Sequence, residues 1–381
     1  MKIGIDIRTL MDENWSGVSG YTYNLVRKIL EVDRSREYRL FYNSGRDVSS
    51  RIPEFNADNA RVVRIRYPNK IFNYFMQKTL SRPKIDRLLG VERFIAPHIN
   101  FLSLSSRCRK IITVHDLSFL RYPEFFSLRK NIWHRALNVK KILKEFDMIA
   151  AVSENTKRDI IELCGIDEAR IKVIRPGISR RYQPLDRTEK REEFEAVRKK
   201  YGLPPNFILY VGNLEPRKNV PGLIRAYGIF RDANSGLRDM KLVIAGAKGW
   251  KSEDIFREWR ESKYRQDIKF IGYIDEEDKV YIYNLAALFV YPSFYEGFGF
   301  PPLEAAACGV PVIAGSNSSL PEVVGQEALL VDSGNIAEIA GAISVVLNSS
   351  NPASFLATNR DKRQHRFSWE NTAKGYLELL D

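Results

Sequence analysis

The chain has 381 residues, is 44% hydrophobic and 12% aromatic, and carries a formal net charge of +13. That length and apolar content suffice for two cores, while no stretch reaches the ~20 uncharged apolar residues that a membrane-spanning helix needs. Three scattered cysteines (Cys108, Cys164 and Cys308) lack metal-ligand spacing and fit a reducing compartment, and the opening Met1-Lys-Ile-Gly-Ile-Asp-Ile reads as a strand rather than a signal peptide.

Apolar, partly β-branched runs alternate with amphipathic stretches along the whole chain, which predicts an α/β architecture with parallel sheets. A first series of strands is expected at Lys2–Ile7, Tyr38–Tyr42, Ala60–Ile65, Arg93–Ala96, Lys110–Val114 and Met148–Val152. After the first strand, Trp15-Ser-Gly17-Val-Ser-Gly20-Tyr predicts a glycine-bearing loop before a helix through Asn24 to Leu30. This is not G-x-G-x-x-G, and no acidic residue stands where a ribose partner is expected, so a dinucleotide site is excluded.

The positive charge is confined to the first half. Residues 1–180 hold 34 Lys+Arg against 20 Asp+Glu, the remainder 26 against 27. Residues 61–93 concentrate it: Arg61, Arg64, Arg66, Lys70, Lys78, Arg82, Lys84, Arg87 and Arg93 interleave with Ile71, Phe72, Tyr74, Phe75, Met76 and Leu80. Two readings stay open, a basic segment lying on an anionic membrane and a solvated helix packing its apolar side on its own core. Nucleic acid is not an expected partner, because no nucleic-acid module or aromatic RNA-binding signature is present. His98 and His115 fall at predicted strand ends, the latter followed by Asp116; His134 reads as helix surface and His365 has no motif around it.

A Pro-Gly step and a charged stretch at 176–200 precede a second strand series: Phe207–Val211, Lys241–Ala245, Ile268–Ile271, Leu288–Tyr291, Val312–Ala314 and Ala328–Leu330. Val211-Gly-Asn-Leu-Glu-Pro-Arg217-Lys218-Asn219 joins its first strand to a helix beginning near Val220. Cations at a helix N-terminus are disfavoured by the dipole unless an anion is present, so Arg217 and Lys218 point to a diphosphate. Phe270-Ile-Gly272-Tyr273-Ile274 ends another strand at the same edge. Glu296-Gly-Phe298-Gly299-Phe-Pro-Pro-Leu303-Glu304 follows a buried strand. Pro301 and Pro302 suit a helix start and Gly309 its end, which puts Glu296 on the loop and Glu304 in the first helical turn. Open α/β sheets bind ligands at that junction, and Gly297 and Gly299 let backbone N–H groups approach an anion. Two glutamates so spaced also arise by chance, with Glu304 merely complementing the helix dipole. The tail Ser368–Leu380 has a Ser cap and helical apolar spacing.

The stretch Glu296–Val312 resembles, almost without gaps, the E-G-F-G-x-P-x-L-E-A-x-A-x-G-x-P-V signature of retaining GT-B glycosyltransferases of family 4. Gly212 to Asn219 is similar to their G-x-x-x-x-R-K-N. The resemblance implies two doubly wound Rossmann-like domains facing across a cleft. Residues 1–180 plus 364–381 would form the acceptor-side domain and 181–363 the nucleotide-sugar domain. The tail helix would cross back to the first, and a hinge within Pro176–Arg187 would close the cleft and exclude water. It further implies that Arg217 and Lys218 hold the donor pyrophosphate, with Gly17 and Gly20 facing the phosphates. Glu304 would bind the ribose hydroxyls, Glu296 the sugar, and the N–H groups of Phe298, Gly299 and Leu303 would complete the cradle. The backbone around Ile274 would read the base, His115 would lie near the reacting oxygen, and His98 and Asp116 would face the acceptor.

With Glu304 assigned to ribose, the two glutamates straddle the donor and are not a glycosidase pair. Retention is expected by front-face attack, the acceptor proton passing to the leaving phosphate. No metal and no cofactor beyond the nucleotide-sugar is expected. The motifs around Trp15, Val114 and Glu215 look most like bacterial mannosyltransferases of polysaccharide assembly. That implies GDP-mannose as donor and a saccharide or lipid-linked saccharide as acceptor, in the cytoplasm or on the inner face of the membrane. A UDP-sugar donor, a GT-B sugar-nucleotide 2-epimerase and a catalytically silent membrane-assembly scaffold are the alternatives.

Overall fold

A computed structural model describes residues 1–13, 15–325, 328–350 and 366–381; His365 and the boundary expected at 363/364 lie outside them. The chain divides into two compact units. The first comprises Met1–Arg121, Arg129–Gly177 and the C-terminal tail, the second Tyr122–Leu128 and the described residues from Ile178 to Ser350.

The first unit is built on a seven-stranded parallel sheet in the order β3-β2-β1-β4-β5-β6-β7. Its strands are β1 (Lys2–Asp6), β2 (Glu37–Asn43), β3 (Ala60–Ile65), β4 (Arg93–Ala96), β5 (Arg109–Val114), β6 (Met148–Ala151) and β7 (Ile171–Val173). The second unit carries a six-stranded parallel sheet, β10-β9-β8-β11-β12-β13. Here β8 is Phe207–Val211, β9 Lys241–Ala245, β10 Ile268–Gly272, β11 Leu288–Tyr291, β12 Val312–Gly315 and β13 Leu329–Val331. Both orders reverse direction beside the first strand of the unit, and such a switch point leaves a crevice at the carboxyl edge of the sheet. Strands covered on both faces read as continuous apolar runs, and β8 (Phe-Ile-Leu-Tyr-Val) is buried at all five positions. The expected strands are present within one or two residues; β7, three residues long, was too short to stand out.

The glycine-bearing loop needs correction. Ser16 caps a helix that already begins at Gly17 and runs to Val32, with Ser16 and Ser19 exchanging side-chain and backbone bonds in a capping box. Gly17 and Gly20 therefore lie in its first turns, not in a loop ahead of it. The expectation failed because Gly-Val-Ser-Gly carries poor helix propensity, which the reciprocal cap overrides.

The tail helix Trp369–Leu380 is capped by Ser368, whose side chain accepts from Glu370 and Asn371. Its buried face, Trp369, Ala373, Tyr376, Leu379 and Leu380, packs on the Gly17–Val32 helix and on β5. The Tyr376 hydroxyl lies 2.8 Å from that of Tyr21 and 2.5 Å from Thr113 Oγ1, which satisfies three buried hydroxyls at once. Gly177 makes the docking possible, since a Cβ there would meet the Trp369 backbone nitrogen at 2.1 Å. Gly177→Ala should therefore destabilise the first unit by about 1–3 kcal/mol. Limited proteolysis should then release the tail; an unchanged melting temperature would show that the tail contact contributes little.

Candidate functional site in the second unit

β11 is apolar on both faces and ends at Tyr291, so the chain leaves the core directly into Pro292-Ser293-Phe-Tyr-Glu296. The helix that follows begins at Phe300 and runs to Ala307. Gly299, at φ 104°, turns the chain into it, and Pro301 and Pro302 lie in its first turn, where a missing N–H costs nothing. Glu304 is thus the fifth helical residue, at the start of the second turn rather than in the first. The expected start was placed at the prolines, but the left-handed Gly299 allows an earlier entry.

Glu296 is 5% exposed and is the hub of the site. Its Oε2 accepts from Arg217 Nη1 at 3.0 Å and its Oε1 from Lys218 Nζ at 2.5 Å. Ser293 Oγ and Tyr291 Oη donate to Oε1 at 2.7 and 3.0 Å. Lys218 also donates to Tyr291 Oη at 2.6 Å, and Arg217 Nε to Glu215 Oε1 at 2.9 Å. The Glu296 backbone is held separately, its N–H donating to Ser318 Oγ at 2.9 Å and its carbonyl accepting from Ser319 Oγ at 2.9 Å. Burial alone would raise the Glu296 pKa, but the attraction of Arg217 and Lys218 and the hydrogen bonds outweigh it and bring it to about 2. Lys218 is pulled downward, chiefly by burial and then by Arg217, against the opposing pull of Glu296 and Glu215.

Arg217 and Lys218 sit on a single 3₁₀ turn, Pro216–Lys218, ahead of the helix Val220–Ala233. Asn219, in the left-handed region at φ 54°, caps that helix by accepting from the Gly222 N–H at 3.2 Å, so the cations precede the helix rather than enter it.

Glu304 occupies a different environment. Tyr283 Oη donates to its Oε2 at 2.9 Å and Lys279 Nζ lies 3.5 Å away. Burial dominates here and raises the Glu304 pKa despite Lys279, with Glu276 adding repulsion. Two glutamates eight positions apart are thus shifted in opposite directions. Leu303 and Phe298 are buried beside them, and Ile274 is buried just beyond β10.

The remaining candidates lie in the first unit, at the carboxyl edge of its sheet. His115 follows β5, its Nε2 bonded to the Pro97 carbonyl at 2.8 Å and its ring edge-on to Tyr21 at 4.7 Å; burial lowers its pKa. Because a carbonyl can only accept, Nε2 carries the hydrogen. Asp116 accepts from the Ser118 N–H and hydroxyl, which makes it a local turn-former. His98 lies 3.8 Å from Asp6 Oδ2, and burial lowers its pKa to about 4. His134 is half-buried against Phe119, with ring centroids 4.3 Å apart.

Sequence reasoning missed the polar partners: Tyr291, Ser293, Tyr283 and Lys279 in the second unit, and the buried pair Asp6–Arg8 in the first, joined at 2.6 Å. The signal available was the appearance of a polar side chain at or just past the end of an apolar strand, as at Asp6, Tyr291 and Ser293. Among the described residues, no group of three or more His, Cys, Asp or Glu is arranged to hold a metal ion, and no helix is long and apolar enough to cross a membrane.

Because the folded pKa of Glu296, about 2, lies below the ordinary 4.5, its ion pairs stabilise the fold fully above pH 4.5, and that contribution is lost as pH falls from 4.5 towards 2. Wild type should exceed Glu296→Gln by about 3 kcal/mol at pH 7. The gap should narrow as the pH falls from 4.5 and close only towards pH 2 in parallel thermal melts. A gap independent of pH would mean that the carboxylate is not held by charge.

Residues 15–181 match the family model described as Glycosyltransferase Family 4, and residues 193–363 the model described as Glycosyl transferases group 1. The chain is 28% identical over 366 residues to O-antigen chain mannosyltransferase B of Escherichia coli, covering 93% of each chain. It is 29% identical over 279 residues to the serotype-specific mannosyltransferase WbdA of Escherichia coli, which is 71% of this chain but 34% of that one. Among solved structures, sucrose-phosphate synthase from Thermosynechococcus elongatus matches with a TM-score of 0.75 at 20% identity, covering 100% of this chain and 98% of that one. The Anabaena protein HepE in complex with UDP and glucose matches with a TM-score of 0.71 at 17% identity, covering 100% and 99%. At these identities the structural likeness shows the fold, which is GT-B.

Proposed function

The chain belongs to the family 4, group 1 glycosyltransferases, retaining and metal-independent hexosyltransferases that use nucleotide-sugar donors and glycan acceptors, and on that premise we propose that it moves mannose from GDP-mannose to a saccharide or lipid-linked saccharide in glycan assembly. The observation that carries the reading is the convergence of Arg217 and Lys218 on Glu296 at the carboxyl edge of the second sheet, with Glu304 in the helix that follows. The mannosyl choice is supported by similarity along 93% of the chain to an O-antigen mannosyltransferase.

In this reading Arg217 and Lys218 bind the donor diphosphate and neutralise the charge that grows on it as the glycosidic bond breaks. Such preorganised donors contribute about 3–4 kcal/mol each. Glu304, with Tyr283 and Lys279 fixing its orientation, accepts from the ribose hydroxyls. Glu296 holds the sugar hydroxyls. The N–H groups of Phe298, Gly299 and Leu303 line the sugar–phosphate cradle, and the backbone around Ile274 reads the base. In the first unit His115 is the proposed catalytic group, Gly17 and Gly20 are further donor-binding candidates, and His98 and Asp116 are acceptor-side candidates. The acceptor hydroxyl attacks on the face that the diphosphate leaves, and its proton passes to the leaving phosphate oxygen. The C–O bond to phosphate breaks as the new glycosidic bond forms, with retention.

Lys218→Ala and Arg217→Ala should each lower transfer from GDP-mannose by about 10²–10³-fold. Calorimetric titration with EDTA present should give binding of GDP in preference to UDP and ADP. Selective UDP binding would keep the site and overturn the donor. Binding of none would favour a silent scaffold.

We place the enzyme at the cytoplasmic face of a membrane, on the following surface of the first unit. The Ile71–Thr79 segment, wound as a π-helix, exposes Ile71, Tyr74 and Phe75 by more than half, and Leu80 follows it. Ile132 and Trp133 are exposed on the helix Leu128–Leu137, which Lys78 links to this segment by donating to the Ala136 carbonyl. Lys70, Arg82, Arg87 and Arg129 are exposed around these residues. Apolar side chains ringed by cations complement an anionic bilayer, at about 1 kcal/mol per close cation. The double variant Tyr74→Ser, Phe75→Ser should lose co-sedimentation with phosphatidylglycerol-containing vesicles while keeping transfer to a soluble acceptor. Equal sedimentation of the variant, or of wild type with neutral vesicles, would refute the surface.

A further inference from the structure

The donor cations of the second unit are already occupied. Arg217 and Lys218 each bind one oxygen of Glu296, at 3.0 and 2.5 Å, and Glu215 takes Arg217 Nε. Two cations and two carboxylates leave this cluster with no net charge, so it offers little attraction to an arriving anion. The carboxylate of Glu296 and a phosphate group satisfy a part-buried arginine and a buried lysine by the same charge-assisted bonds. Both cannot hold the same N–H groups at once.

We infer that Glu296 is an internal counter-anion of the donor site: it holds Arg217 and Lys218 in the free protein, and the donor diphosphate displaces it. Three features make the exchange feasible without refolding. The Glu296 backbone is pinned by Ser318 and Ser319, so only the side chain rotates. The Ser293 hydroxyl donates to Oε1 without touching either cation, and Tyr291 Oη, which bridges Lys218 and Oε1, also donates to it, so the released carboxylate keeps a partner. In the free state Glu296 supplies the counter-charge that the buried Lys218 and the part-buried Arg217 need.

The exchange couples two binding events. While Glu296 is tied to the cations its oxygens are committed, and the diphosphate frees them for the sugar hydroxyls. A free hexose therefore finds no ligand, and only a sugar carried on a diphosphate completes the site. This rests on the proposed donor site, and it inverts the usual expectation for a mutated binding residue.

Inorganic pyrophosphate, GDP and UDP are to be titrated by calorimetry, with EDTA, into the full-length wild type, Glu296→Gln and Glu296→Asp. Glu296→Gln should bind pyrophosphate and the preferred nucleoside diphosphate about tenfold more tightly or better, although transfer is abolished. Glu296→Asp, with its charge drawn back by one methylene, should fall between the two and guards against a Gln variant that does not fold. A merely structural role would weaken binding on substitution, so tighter binding is the discriminating sign. Equal or weaker binding by both variants would overturn the inference while leaving the donor site standing. No binding of any of the three anions to wild type would remove the donor site itself, and the inference with it.

Discussion

A buried carboxylate has to be held, and around Glu296 that requirement organises the carboxyl edge of the second sheet. At 5% exposure it cannot remain charged without partners. The partners come from two stretches nearly eighty residues apart in sequence. β8 delivers Arg217 and Lys218 on one turn, and β11 delivers Tyr291 and Ser293 just ahead of Glu296 itself. Because neighbouring strands of a parallel sheet end at the same edge, and β8 and β11 are hydrogen-bonded neighbours, these segments emerge side by side. The topology brings the charges together, and the charges then fix the loops: Ser293 Oγ lies 3.0 Å from the Arg217 carbonyl, and the Phe294 N–H donates to that same oxygen at 2.7 Å.

Glu304 shows how the same residue type is turned to a different use a short distance along the chain. It has one cation, at 3.5 Å, where Glu296 has two at 3.0 Å or less. Desolvation prevails at Glu304 and ion pairing at Glu296, so their proton affinities separate. A carboxylate held by Tyr283 and one moderately distant lysine retains acceptor capacity for neutral hydroxyls. One saturated by two cations does not, until an anion takes those cations away.

What could be read in the sequence follows from the range over which each signal acts. Strand runs, the Ser368 cap and the helix stop at Gly309 are local patterns, and each was legible within one or two residues. Glu296, Arg217, Lys218 and Glu304 were legible because their spacing is itself a signature. The start of the Gly17–Val32 helix was not, since it depends on a reciprocal bond between Ser16 and Ser19 that composition does not announce. Nor were Tyr291, Ser293, Tyr283 and Lys279. A tyrosine at the end of an apolar run is indistinguishable from core until a carboxylate from another segment is placed against its hydroxyl.

The first sheet meets the same constraint with a different outcome. Asp6, fully buried at the end of β1, is gripped by Arg8 through Nε and Nη2, at 2.9 and 2.6 Å. Arg8 spends its other donors on Asn73 Oδ1 at 2.7 Å and the Phe101 carbonyl at 3.2 Å. Asn73 belongs to the Ile71–Thr79 segment, so this knot fastens the exposed aromatic stretch to the sheet edge. Arg8 and Asp6 form a closed set that tethers a surface, while Arg217 and Lys218 form a set that an anion can reopen. Arg217 and Lys218 belong to the half whose charges nearly cancel and are already paired with Glu296, while the basic excess lies in the first half.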